Sequence, residues 1–60
     1  MYETRFMNRR GINERIESNT LKQAIAVGRS WAKSGTFKVY KDKELVCMWV
    51  NDKPLTFNID

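Results

Sequence analysis

The sequence predicts an α+β fold: a mostly antiparallel sheet of four to five strands, in the order ββαβββ, with one amphipathic helix packed on one face. Two observations lead to this prediction. Apolar residues recur with the 3.6-residue period of a helix over residues 21–34, and the flanking segments alternate with the two-residue period of strands. The chain has 60 residues and no internal repeat or linker, so residues 1–60 are expected to form a single small domain.

The N-terminal part of the chain favours a β-hairpin. Apolar and polar residues alternate over Tyr2–Met7, which predicts the first strand. Asn8 and Gly11 suit the first and fourth positions of a type I turn. Residues 12–17 alternate again and favour a second strand, but their two isoleucines are also four residues apart, as on one face of a helix. Both interpretations of residues 12–17 stay open.

The helix is the element with the strongest local signals. Thr20 and Gln23 fit a capping box, which predicts that the helix begins at Leu21. Gly35 suits the left-handed conformation that ends many helices, so the predicted helix spans residues 21–34. An arc of about 160° on this helix is apolar and is expected to face the core. Its members are Leu21, Ala24, Ile25, Val27, Gly28, Trp31 and Ala32.

A three-stranded meander is predicted after the helix, with strands at residues 36–41, 44–50 and 55–59. Pro54 has no N–H to donate to a neighbouring strand, which indicates that the last strand lies at an edge. A two-residue turn at residues 42–43 would pair Lys41 with Glu44 and Tyr40 with Leu45. Continued without a break, this register also pairs Val39 with Val46 and Phe37 with Met48. The predicted core face then carries Phe37, Val39, Val46, Met48, Val50, Leu55, Phe57 and Ile59.

The second face of this meander is the first candidate for a partner-binding surface. Its predicted members are Thr36, Lys38, Tyr40, Leu45, Cys47, Trp49, Thr56 and Asn58. One helix covers only one face of a sheet, so we expect Tyr40, Leu45 and Trp49, with Lys38 beside them, to contact a partner. Tyrosine and tryptophan around a leucine are typical of protein interfaces, and aromatics among cations also stack single-stranded nucleic acid. A third interpretation is that the N-terminal hairpin covers these residues.

Basic residues form the second candidate surface. The formal net charge is +4, and most of the excess falls between Thr20 and Gly35, where there are three basic residues and no acid. These residues, Lys22, Arg29 and Lys33, are predicted to share the back of the helix. Arg9 and Arg10 lie in the predicted hairpin turn. Either group could contact phosphates or an acidic partner, and the alternative is an ordinary solvated surface.

The composition argues against an enzyme and against a metal protein. The chain has no histidine and one cysteine, so the commonest general base is missing and a tetrahedral zinc site is not expected. Its carboxylates do not pair, and there is no glycine-rich phosphate loop. We therefore expect no catalytic residue, no cofactor and no metal, with Cys47 as a structural thiol. A lone cysteine and an N-terminus without an apolar signal segment indicate a cytoplasmic protein, and no apolar run approaches the length of a membrane span.

These observations lead to two functional hypotheses. The first is a non-enzymatic protein-binding module, acting as a regulator or inhibitor of a larger protein or as a homodimer. The second is a nucleic-acid-binding module that uses the basic helix face and a Tyr40/Trp49 platform. Binding to phosphates is expected to weaken steeply with salt, whereas apolar contacts are not. In its small size and basic character, the chain is similar in style to accessory proteins of phages and mobile elements.

Overall fold

Five strands and one helix make up most of residues 1–55, the part of the chain that the computed structural model describes. The elements are β1 Tyr2–Met7, β2 Asn13–Ser18, α1 Leu21–Trp31, a 3-10 turn Lys33–Gly35, β3 Phe37–Lys41, β4 Glu44–Val50 and β5 Lys53–Leu55. The strands form one antiparallel sheet in the order β2-β1-β3-β4-β5, and α1 packs on one of its faces. The predicted α+β class and the order ββαβββ are confirmed.

The first hairpin has the predicted turn. The amide of Gly11 donates to the carbonyl oxygen of Asn8 at 2.9 Å, and Gly11 adopts a φ of 82°. The side-chain oxygen of Asn8 also accepts from the amides of Arg10 and Ile12, at 2.8 and 3.1 Å. Of the two interpretations of residues 12–17, the strand is correct, and β2 begins one residue later than the alternation indicated.

The helix begins as predicted and ends early. The Thr20 hydroxyl accepts a hydrogen bond from the Gln23 amide at 3.1 Å, and the Gln23 side chain accepts from the Asn19 amide at 3.2 Å. The predicted end at Ser34 is wrong, because Ala32 already has extended dihedral angles (φ −71°, ψ 138°) and Ser34 has a φ of 59°. A separate 3-10 turn therefore leads to β3.

Small residues on α1 bring the helix close to the sheet. The buried core consists of Phe6, Ala24, Ala32, Phe37 and Val39. The hydroxyl of Thr4, fully buried on β1, donates to the Ala24 carbonyl oxygen at 2.8 Å. The prediction that Trp31 lies in the core is wrong, since this residue is 63% exposed. A helix that approaches the sheet through alanine and glycine leaves no room for an indole between the two layers.

A β-bulge changes the predicted register between β3 and β4. The predicted pairs Lys41–Glu44 and Tyr40–Leu45 are present, but Val39 pairs with Cys47 and Phe37 with Trp49. Val46 is thus one extra residue in β4, and both Val46 and Cys47 pack against the core, as two residues opposite one do in a bulge. The predicted pairs of Val39 with Val46 and of Phe37 with Met48 are wrong.

Because of the bulge, each side chain of β4 after Val46 lies on the side of the sheet opposite to the one predicted. Trp49 and Cys47 lie on the side of the helix, whereas Met48 and Val50 lie on the opposite side, which is the reverse of the prediction. The physical reason is the two-residue period of a strand, since one inserted residue moves every later side chain to the other face.

The last turn is tighter than the sequence indicated. Asn51 and Asp52 both have positive φ, 52° and 66°, so β5 begins at Lys53. This strand lies at an edge of the sheet, as Pro54 indicated. Leu55 pairs with Met48 and therefore lies opposite the core, where the prediction had placed it in the core. The predicted strand positions Thr56, Phe57, Asn58 and Ile59 lie outside the described residues.

Candidate functional site: the open face of the sheet

The sheet has one face that no other element of residues 1–55 covers, because α1 packs on the opposite side. We call this surface the open face. The strand registers assign to it Glu3, Arg5, Met7, Asn13, Arg15, Glu17, Lys38, Tyr40, Leu45, Met48, Val50, Lys53 and Leu55. The predicted positions of Lys38, Tyr40 and Leu45 on the side away from the helix are confirmed. The position predicted for Trp49 on that side is wrong.

Three basic residues form a row across the open face. Arg5 on β1 pairs directly with Arg15 on β2 and with Lys38 on β3. The row continues through Met48 on β4 and Leu55 on β5. Like charges directly opposite each other on neighbouring strands destabilise a sheet. Some other contact must therefore offset the repulsion among these three cations.

Glu3 offsets part of the repulsion among the three cations. Its Oε1 accepts from Nε of Arg5 at 2.5 Å, and its Oε2 lies 3.2 Å from Nε of Arg15. The guanidinium of Arg5 also lies over the ring of Tyr40, 4.6 Å from the ring centroid. One carboxylate thus contacts both arginines, and one aromatic ring also contacts Arg5. Within residues 1–55, Lys38 makes no ion pair.

The part of the open face around β3, β4 and β5 is more apolar. Tyr40, Leu45, Met48 and Val50 are half-buried there, although no second layer within residues 1–55 covers them, and Leu55 at the edge is 44% exposed. An open groove is lined by Arg15, Lys38, Tyr40 and Met48 of the open face and also by residues outside it, such as Phe6 and Thr36. The open face therefore combines positive charge at one end with apolar side chains at the other.

Trp49 belongs to the helix side of the sheet. Its indole stacks on Phe37 with ring centroids 5.6 Å apart and an interplanar angle of 15°. The Arg29 guanidinium lies 5.1 Å from the Trp49 ring centroid, which covers the indole from the helix. The predicted Tyr40/Trp49 platform is therefore wrong, because the two rings lie on opposite faces of the sheet.

The other predicted basic contacts are exposed and do not form one surface. Lys22 and Arg29 lie on α1, and Arg9 and Arg10 lie in the first hairpin turn. Lys33 lies in the 3-10 turn, where it lines the same groove as Arg15 and Lys38. Their contacts with phosphates or an acidic partner stay predictions.

Sequence reasoning missed Arg5, Arg15, Met7, Met48, Val50 and Leu55 as members of this surface. The alternation of β1 had already separated Arg5 from the core residues Thr4 and Phe6. The missing information was that β1 lies next to β3, which joins residues more than 30 positions apart. This pairing is what brings Arg5 beside Lys38 and Tyr40.

The chemistry of the described residues is limited. Burial raises the pKa of the half-buried Cys47 thiol, and a hydrogen bond with Trp49 lowers it by less. A thiol with a raised pKa is a poorer nucleophile at neutral pH. Within residues 1–55, no group of three acidic, cysteine or histidine side chains could hold a metal, and no helix is long and apolar enough to cross a membrane.

Comparisons with protein-family models, with curated proteins and with solved structures gave no match for this chain.

Proposed function

We propose that this chain is a non-enzymatic protein-binding module that uses the open face of its sheet to dock on a larger protein. A module of this kind acts by occupying a surface of its partner, as a regulator or an inhibitor does. The observation that supports the proposal is the combination on the open face of apolar side chains around Tyr40 and Met48 with a row of three cations.

The apolar part of the open face is expected to contribute most of the favourable free energy of binding. Contiguous apolar patches on soluble proteins commonly mark interaction sites. Each Å² of apolar surface removed from water contributes about 25 cal/mol of favourable free energy. Tyr40 has the properties of an interface anchor, since it is large and rigid and its hydroxyl can find a partner. A small domain buries less of its surface than a large one, so it gains proportionally more stability from a partner that covers an uncovered sheet face.

The charge on the open face favours a different protein over a second copy of this chain. Four basic residues (Arg5, Arg15, Lys38 and Lys53) and two acidic ones (Glu3 and Glu17) give the face a formal charge of +2. Two such faces packed on each other would repel, whereas an acidic surface would be attracted. Self-association would be detected by cross-linking from position 40, as an adduct at twice the chain mass.

A nucleic-acid partner is the second candidate, and one observation favours it. The row Arg15–Arg5–Lys38 beside the ring of Tyr40 resembles the cation and aromatic pattern of sheet surfaces that stack bases. One observation weighs against it: Trp49 lies on the helix side of the sheet, so the Tyr40 ring has no second aromatic ring beside it among the open-face members of residues 1–55.

Affinity capture from the cells that produce the protein tests the proposal, with two matched double variants. Tyr40→Ala/Met48→Ala removes two apolar side chains from the open face, and Leu21→Ala/Trp31→Ala removes two exposed ones from the helix. Quantitative mass spectrometry after nuclease treatment should show proteins retained by the parent and helix variants and lost from the open-face variant. Equal capture by both variants would overturn the proposal. Capture abolished by nuclease would favour nucleic acid.

A further inference from the structure

We infer that the arginine pair on the open face is a carboxylate-binding site for an acidic segment of the protein partner. The inference rests on the proposed function, because it names what that partner presents to the open face. The site consists of Arg5 and Arg15, with Glu3 and Tyr40 as positioning residues and Lys38 as a third, adjacent cation.

Glu3 and Tyr40 hold the Arg5 guanidinium before any partner binds, and Glu3 also contacts the Arg15 guanidinium. Both contacts with Glu3 run through Nε, so the terminal Nη groups of both arginines are left to bind a partner. The Tyr40 ring restrains the plane of the Arg5 guanidinium, and Glu3 itself is only 21% exposed, which limits its movement. Arginine binds carboxylates through two parallel hydrogen bonds, and fixing its plane in advance lowers the entropy lost on binding.

The spacing of the row indicates how the acidic residues are arranged in the partner. Neighbouring strands lie about 4.8 Å apart, so the backbone positions of Arg15, Arg5 and Lys38 follow one another across the sheet at about that interval. Acidic residues three or four positions apart on a helix have Cβ atoms about 5 to 6 Å apart. Alternate residues of an extended strand are about 6.7 Å apart, a poorer match. Acidic residues one helical turn apart therefore fit the site best.

The continuation of the row argues for a protein segment rather than a phosphate polymer. Beyond Lys38 the same row presents Met48 and then Leu55, both apolar. A segment that lies along the row must therefore offer carboxylates at one end and apolar side chains at the other. An amphipathic protein segment can carry both, whereas a nucleic-acid backbone carries phosphates along its whole length.

A fluorescent helical peptide of about 18 residues serves as the probe. It carries three glutamates at successive one-turn spacings followed by two leucines on the same face, and the control peptide has the same residues with the glutamates spread around the helix. We expect fluorescence anisotropy to show at least about fivefold tighter binding of the first peptide. Equal binding of the two peptides, or no binding of either, would overturn the inference.

Arg15→Lys and Arg9→Lys form a matched pair of protein variants, because both keep the charge and both sites are exposed. We expect Arg15→Lys to weaken peptide binding by about fivefold or more, since lysine cannot form the planar bidentate contact, and Arg9→Lys to change it by less than about twofold. An unchanged peptide affinity in Arg15→Lys would contradict the carboxylate assignment. The assignment would also be contradicted if the parent protein bound an oligothymidylate of about 15 nucleotides more tightly than the first peptide. Neither peptide binding to the protein, with cellular capture still dependent on Tyr40 and Met48, would contradict the carboxylate-binding site alone. The proposed function would then still be supported.

Discussion

Gly28 of α1 lies directly against the ring of Phe37 on β3. A Cβ atom placed on Gly28 would be 2.3 Å from Cδ2 of Phe37 and 2.4 Å from its Cγ. The Phe37 ring is 2% exposed and is itself stacked on Trp49, so it cannot move aside without disturbing the core. This close contact sets the distance between the helix and the sheet.

Gly28→Ala is therefore expected to destabilise the protein, although alanine is the better helix former by about 1 kcal/mol. Overpacking of a tight core typically costs about 1 to 3 kcal/mol, which exceeds the gain in helix propensity. Urea unfolding followed by circular dichroism measures the change. Ser30→Ala at an exposed position of the same helix is the control, and it should be neutral or slightly stabilising. A Gly28→Ala variant as stable as the Ser30→Ala variant would show that the close contact is absent.

Truncation of the two tryptophans to alanine should change the unfolding free energy by very different amounts. Trp49 stacks on Phe37 beneath Arg29, so Trp49→Ala is expected to cost about 2 to 3 kcal/mol of unfolding free energy. Trp31 is 63% exposed, so Trp31→Ala should change stability by about 0.5 kcal/mol or less. Chemical denaturation of both variants makes the comparison. Similar losses in the two variants would contradict the assignment of Trp49 to the helix side and Trp31 to solvent.

The helix N-cap gives a third prediction. The Thr20 hydroxyl accepts from the Gln23 amide at 3.1 Å, so Thr20→Ala should lower the unfolding free energy by about 1 kcal/mol. Thr20→Ser keeps the hydroxyl and should retain most of that stability. Thermal unfolding of the two variants tests the cap, and equal losses in both would show that the hydroxyl does not stabilise the helix.

The half-buried thiol of Cys47 leads us to expect that the stability of the fold depends on pH above neutrality. Folding raises the pKa of its thiol above the ordinary value, so the thiol favours the folded state below the unfolded pKa, and this contribution is lost as the pH rises through the folded pKa. Between about pH 7.5 and about pH 10.5 the parent should lose more stability than Cys47→Ala, which has no thiol. Urea midpoints at both pH values give the comparison. Parallel losses in the two proteins would mean that the thiol is not buried enough to matter.

The local elements of this fold were predictable because their signals are local. The Thr20 cap, the turn glycine at position 11 and the proline at the edge strand each act within a few residues. The turn at residues 42–43 also fixed the first two pairs between β3 and β4. These elements gave the fold class and the presence of an uncovered face with Tyr40 and Leu45.

The composition of that face was not predictable, for two physical reasons. The bulge at Val46 has no local sequence signal in this chain, and it moved Trp49 to the core side and Met48 to the open face. The pairing of β1 with β3 is a long-range contact, and only this pairing places Arg5 beside Lys38 and Tyr40. Trp31 was misplaced because helical angle alone does not show how closely the helix approaches the sheet.

Site-specific photo-cross-linking tests most directly whether the open face binds a partner. A benzophenone-bearing phenylalanine analogue would replace Tyr40 on the open face or Trp31 on the exposed side of the helix, so that both sites exchange one aromatic side chain for another. After irradiation in the producing cells, we expect a cross-linked protein adduct from position 40 and little or none from position 31. Adducts that form from position 31 and not from position 40 would contradict the open face as the binding surface, and an adduct at twice the chain mass would identify the partner as a second copy.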